Sequence, residues 1–312
     1  MKSLSCSLIL VLLVFSFIAG GCAGETTGQK GPITVGSKID VEGSLLSQMI
    51  ILMLRSEGFE VVDKSQFGPT SVVKKALETG ELDIYPEYTG NGAFFFDEAD
   101  SDVWKDAQKG YERVKQLDEE TNGIIWLATA PANNTWAIAI PRALAEEHNL
   151  NTLDDFAAYI NGGGTVKLIG SEEFVNSPAA LPAFQEAYGF TLREDQILTV
   201  SSGDTTQTEK AAAEGTDGVN AAMAYGTDGA IDALDLVILD DPRGVQPVYE
   251  PAPRVRGQII EDYPEIAVIL NPVFQSLNLE TLQSLNARIG IQGENPADVA
   301  REYLISKGFL KE

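Results

Sequence analysis

Short apolar runs that read as strands alternate along this chain with longer helical stretches ending on glycine, and this alternation narrows the fold more than any other feature. "ITVGSK" reads as a strand entering a turn, and "SLLSQMIILMLRSEG" as a helix from about Ser44 to its stop at Gly58. "TSVVKKALETG" gives a second glycine-closed helix before the strand-like "LDIYPEY", and residues 102 to 120 form a polar amphipathic helix. "IIWLATA" and "TWAIAIP" are strand-like on either side of "PANN". Further on, "VKLIG" and "VNAAMAYG" read as strands and "PAALPAFQEAYGF" as a helix. Thr152 and Asp155 have the spacing of a reciprocal helix cap, with Asp where Glu is usual. In the last helix Asn295 is the cap, Pro296 the first helical residue and Gly308 the stop. Such β/α order predicts sheets covered by helices on both faces. With 312 residues, 44% of them hydrophobic, the chain is long enough for two α/β lobes. We expect it to cross between them near residues 135 and 236.

The N-terminus carries an address. Lys2 precedes the apolar run Leu8 to Ile18, which is shorter than the roughly 20 residues of a membrane span. Small residues follow, "AGGCAG", around Cys22. Residues 1–21 therefore read as a secretory signal, and Cys22 as a lipidated first residue of the processed chain. Residues 22–31 read as a flexible tether, and the fold is expected to begin at Pro32. Cys6 falls inside the removed segment, so processing leaves no second thiol for a disulfide. The protein is expected outside the cytoplasm, held to a membrane by its lipid anchor.

Several function classes are disfavoured. A formal net charge of −24 and a pI of 4.3 oppose nucleic-acid binding, which needs a basic surface. The single histidine, His148 in "AEEHNL", stands among acids at a helix end and reads as surface. No metal site of His and Cys and no Ser/His/Asp arrangement with a plausible base can be assembled. We therefore expect no enzyme, metal or cofactor. What stands out is aromatic residues where strands meet loops: Tyr88 in "PEYTGNG", Trp136 in "ANNTWAIAI", Tyr225 in "AMAYGTDG" and Tyr249 in "QPVYEPAP". If such rings converge, they form a cage that attracts a cation through their negative faces. Quaternary ammonium suits it, because ordinary ammonium would lose hydration without replacement partners. The alternative for each ring is a place in the core or a lid.

The pieces "VGSKIDVEGSLLSQM", "LETGELDIYPEYTGNG", "ANNTWAIAI", "EEF", "AYGF", "AYGTDGAI" and "VYEPAPRVR" occur in an order that resembles the substrate-binding proteins of glycine betaine/choline/osmoprotectant ABC importers. This is the OpuAC-like family, with its fused-permease and YehZ-like receptors nearest. The resemblance implies a type II periplasmic-binding-protein fold: lobe one from 32–135 and 237–312, lobe two from 136–236, joined by two hinge crossovers. It implies cage walls at Tyr88, Trp136, Tyr225 and Tyr249, with Lys38 and Asn91 as polar ligand contacts, while Tyr85 packs or supports. Trp136 takes a place more often held by tyrosine. Ser177 in "EEFVNSPAAL" stands where relatives often carry a carboxylate-clamping arginine, and Asn91 replaces a common threonine. Asn133 and Asn134 are candidates for partial compensation. The implied protein is a monomer that delivers a quaternary ammonium osmolyte to an ABC permease and its ATPase. A sensory domain for the same ligands, or a secreted enzyme, are the alternatives.

Overall fold

A computed structural model describes residues 30–201 and 205–311. The expected signal, Cys22 and most of the tether lie outside the described residues. The strands are β1 (Lys30–Lys38), β2 (Phe59–Gly68), β3 (Ile84–Tyr88), β4 (Ile124–Trp126), β5 (Trp136–Pro141), β6 (Leu168–Ser171), β7 (Ile197–Val200), β8 (Ala221–Tyr225), β9 (Leu236–Ile238) and β10 (Pro251–Arg256). They form two five-stranded sheets, ordered β2-β1-β3-β10-β4 and β7-β6-β8-β5-β9. β1 lies parallel to β2 and β3, whereas β10, arriving from late in the chain, runs antiparallel to β3 and β4. The second sheet repeats this scheme, with β5 antiparallel to β8 and β9. This is the two-lobed α/β architecture of a type II binding protein.

In the first lobe, helix Val41–Ser56 is buried on almost every side: Leu45, Leu46, Met49, Ile50 and Leu54 have no exposed surface. A helix apolar all round belongs inside a core, and this one packs on β1 and on the C-terminal helices Glu265–Gln275 and Pro296–Ser306. It starts three residues before Ser44 because the Asp40 carboxylate accepts from the Gly43 N–H and caps the first turn. The Thr152/Asp155 box and the Asn295 cap form as expected. Phe156, Phe174, Phe184 and Phe190 fill the second lobe's core.

Two boundaries differ from expectation. β1 begins at Lys30 rather than Pro32, because Lys30 already pairs with Phe59 of β2. The return crossing comes later than 237: β9 carries Val237 and Ile238 in the second sheet. Leu239 then bonds Ile138, and the Gln246 side chain donates to the Ala179 carbonyl at 2.6 Å. The crossovers run side by side, tied by Asn134 N–H to Tyr249 carbonyl at 2.9 Å and Ala130 N–H to Pro251 carbonyl at 2.8 Å. Beside them the second-lobe loop 226–229 lies against first-lobe helix Leu279–Gly290. Gln283 donates to the Gly226 carbonyl at 2.8 Å and Asn286 to that of Thr227 at 2.9 Å. A Cβ on Gly229 would stand 2.1 Å from the Ala287 nitrogen, so this approach requires glycine.

The first lobe's deepest polar feature is Arg254 of β10, fully buried with Asp118 of helix Ala107–Asn122. The guanidinium grips the carboxylate at 2.6 and 2.8 Å, and the Trp126 indole N–H donates to it at 2.7 Å. Removing one partner strands the other charge. Asp118→Ala is expected to lower the unfolding free energy by about 3–5 kcal/mol, read by denaturant titration.

Candidate functional site

A cleft of 1160 Å³ opens between the lobes, and Lys38, Tyr88, Asn91, Trp136, Tyr225 and Tyr249 all line it. All but Asn91, which lies in the short turn after β3, sit where a strand or crossover releases its side chain. Lys38 ends β1, Tyr88 ends β3, Trp136 opens β5, Tyr225 ends β8, and Tyr249 lies on the return crossover. Trp136 and Tyr225 stand opposite one another in the β5/β8 pair, so their rings stack with centroids 6.4 Å apart and planes 21° from parallel. Phe174 meets the indole edge-on at 6.1 Å. Tyr249 presses on Gly90, where a Cβ would come within 2.8 Å of its ring carbons.

The polar members are already engaged. Fully buried Glu87 of β3 pairs with the Lys38 ammonium and accepts from the Tyr85 hydroxyl at 2.9 Å, the Tyr88 N–H at 2.8 Å and the Asn91 amide at 2.7 Å. Tyr85 accepts in turn from Arg254 at 3.0 Å, which makes it a support with no exposed surface. The Lys38 ammonium also lies 4.5 Å from the Tyr88 ring centroid. Asn134 lines the cleft. Asn133 instead accepts from the Tyr249 N–H at 2.8 Å, and Ser177 caps its own turn by accepting from Ala179 N–H at 3.3 Å.

This geometry has close relatives. A family model described as the substrate binding domain of ABC-type glycine betaine transport systems, OpuAC, matches residues 31–306. The chain is 55% identical to the Escherichia coli K12 glycine betaine-binding protein YehZ, covering 90% of this chain and 92% of the relative. A Pseudomonas aeruginosa glycine-betaine-binding protein is 31% identical over 95% and 92%. The chain belongs to the OpuAC family. The apo YehZ structure from E. coli superimposes with a TM-score of 0.82 at 54% identity, covering 90% of this chain and 100% of that one. OpuAC members are extracytoplasmic receptors of ABC importers, so this family binds its solute rather than converting it. No helix among the described residues is long and apolar enough to cross a membrane.

Sequence reasoning missed the receptor's acidic floor. Asp40, Glu42, Glu173, Glu209 and Asp228 line the cleft, and Lys38 is the only lysine or arginine among the described lining residues. Glu42 and Asp40 open helix Val41–Ser56, where an acid reads simply as a partner for the helix dipole. The Tyr88 hydroxyl donates to Glu42 Oε1 at 2.8 Å, and the Asn286 amide donates to Oε2 at 2.7 Å. Burial pushes the Glu42 carboxyl up to about 7, with these hydrogen bonds opposing the rise. Burial likewise raises Asp40, against the pull of Lys38. It also raises Tyr88, well above the usual phenol range, and Tyr225, to about 12.

Because Glu42 is raised above its ordinary 4.5, the fold prefers it protonated. Its contribution to stability is fully present below that value and is lost as pH rises through about 7. The full loss is about 3 kcal/mol. Urea unfolding of the ligand-free receptor across this window should show the decline relative to Glu42→Gln, which has no such charge to bury.

Proposed function

We propose that this OpuAC-family receptor binds a quaternary ammonium osmolyte, glycine betaine or choline, among Tyr88, Trp136, Tyr225 and Tyr249 and hands it to an ABC permease powered by its ATPase. The observation that carries the reading is that four rings supplied by both lobes and by the crossover between them line one cleft. A trimethylammonium group donates no hydrogen bonds, so ring faces can replace its hydration, each contributing roughly 0.5–2 kcal/mol. Contacts from both lobes make occupancy favour the arrangement in which all four walls meet the ligand. Glycine betaine, the ligand for which YehZ and the P. aeruginosa relative are named, supports the ligand class. The receptor works as a lipid-anchored monomer, and the anchor is Cys22; an acylated N-terminal peptide from membrane extracts is the expected mass-spectrometric result.

The carboxylate end of betaine meets no arginine among the described lining residues. Arginine is the usual bidentate partner of a carboxylate. Lys38, the cation in the lining, is already paired with Glu87, and Ser177 is turned to its own backbone.

Calorimetric titration tests both ends of the ligand. Replacing Tyr88, Trp136, Tyr225 or Tyr249 singly with leucine should weaken binding about two- to thirtyfold, with Trp136 the most costly. A betaine preference over choline should stay below about a hundredfold. If choline's uncharged tert-butyl analogue binds as tightly as choline, the pocket is merely hydrophobic and the cage is wrong.

A further inference from the structure

Glu42 lies behind the Tyr88 ring at the junction of several elements. Its side chain receives Tyr88 from β3, Asn286 from helix Leu279–Gly290, Asn134 from the outgoing crossover at 3.3 Å, and Thr227 from the second-lobe loop. With Glu42 ionised, every one of these groups donates. The amide oxygens of Asn134 and Asn286 are then left over, and both are buried without a hydrogen-bond partner. A protonated Glu42 would need an acceptor, and a half-turn of either amide supplies one. Turning Asn286 would sacrifice its 2.9 Å bond to the Thr227 carbonyl, whereas turning Asn134 gives up its long 3.3 Å contact and alters its hydrogen bond with the Tyr88 hydroxyl. The site is therefore hydrogen-bonded in both protonation states, through the same atoms.

The charges around it decide which state the ligand favours. Asp40 stands on the same helix end, Glu209 comes from helix Thr205–Glu214, Asp228 from the loop after β8, and Glu173 from helix Glu172–Asn176. Lys38 on β1 is the facing cation, and Glu87 on β3 neutralises it. The Lys38 ammonium already lies 4.5 Å from the Tyr88 ring centroid but is neutralised by Glu87, so an ammonium arriving on Tyr88 would add an unpaired positive charge beside these acids. A phenol donating to a carboxylate is richer in electrons, which strengthens the ring's hold on a cation.

We propose that Glu42 is a positioning residue that acts through Tyr88: the cation binds best when Glu42 has given up its proton, so occupancy of the cleft and loss of that proton are coupled. The coupling rests on the cation-binding function proposed above, and it is reciprocal. A ligand that favours the carboxylate drives the proton out, and a rise in pH tightens binding. The depth of the carboxylate, only 5% exposed and raised by burial toward neutrality, places this response where cells and their surroundings differ in pH.

Choline and glycine betaine serve as probes, because neither titrates between about pH 5.5 and about pH 8, so protons released on binding come from the protein. Titration in two buffers of different ionisation enthalpy should count about half a proton released near pH 6.5. Affinity should rise about five- to tenfold from pH 5.5 to pH 8. Glu42→Gln should release none and bind with a flat pH profile at about the affinity of the native receptor at the acid end. A flat native profile, or a release that survives Glu42→Gln and so belongs to Asp40, overturns the coupling while leaving the transport reading intact. Failure of both ligands to bind the native protein at any pH overturns the two together. The native proton count needs no variant and stands even if Glu42→Gln folds poorly.

Discussion

The Glu87 carboxylate organises the cleft from beneath. It has no exposed surface, yet it fixes Lys38, Asn91, the Tyr88 backbone and the Tyr85 hydroxyl at once. Behind it the chain of contacts continues from Tyr85 to Arg254 to Asp118, so charges alternate in sign from the cleft floor to the back of the sheet. A buried charge is tolerable when its neighbours satisfy it, and costly alone. The line also sets register. Arg254 stands opposite both Tyr85 and Trp126, and a slip of one residue would turn it to the other face of the sheet. The C-terminal part of the chain is thereby held in the one position that presents Tyr249 to the cleft.

Much of this was legible in the order of residues because the informative ones sit at strand ends, where turn-forming neighbours betray them. Tyr88 before "TGNG" and Tyr225 before "GTDG" are examples, and the run "SLLSQMIILMLRSEG" was readable as a helix, though its burial on almost every side emerges only from the packing. The place of β10 was not legible. "PAPRVR" carries two prolines, which argue against a strand between two others, yet Pro253 stands opposite Pro86, another residue without an N–H. The late return from lobe two was hidden for a similar reason: Leu239 and Asp240 are held by isolated backbone bonds to Ile138, Asn151 and Leu153, and residues 241–246 by side-chain and turn bonds, none of which leaves a periodic trace.

The acidic floor was invisible for a different cause. Asn286 reaches Glu42 across 244 residues, and Thr227 and Asn134 come from two other segments. Each is an ordinary polar residue in its own neighbourhood. Only the fold makes them a set, and only burial converts Glu42 from a helix-end acid into a group poised near neutrality.

The close seat of Gly229 on the Ala287 backbone bears on how such a molecule can move. Two antiparallel crossovers alone would let the lobes twist about their strands as well as swing. A third fastening beside them, made by Gln283, Asn286 and the glycine approach, removes the twist and leaves a single swing about an edge. Displacement then grows with distance from that edge. Glu42, Asn286 and Thr227 stand at the pivot and keep their spacing through the stroke. The far mouth of the cleft sweeps the greatest arc, so it gauges how large a solute is while the floor beside the fastening stays constant.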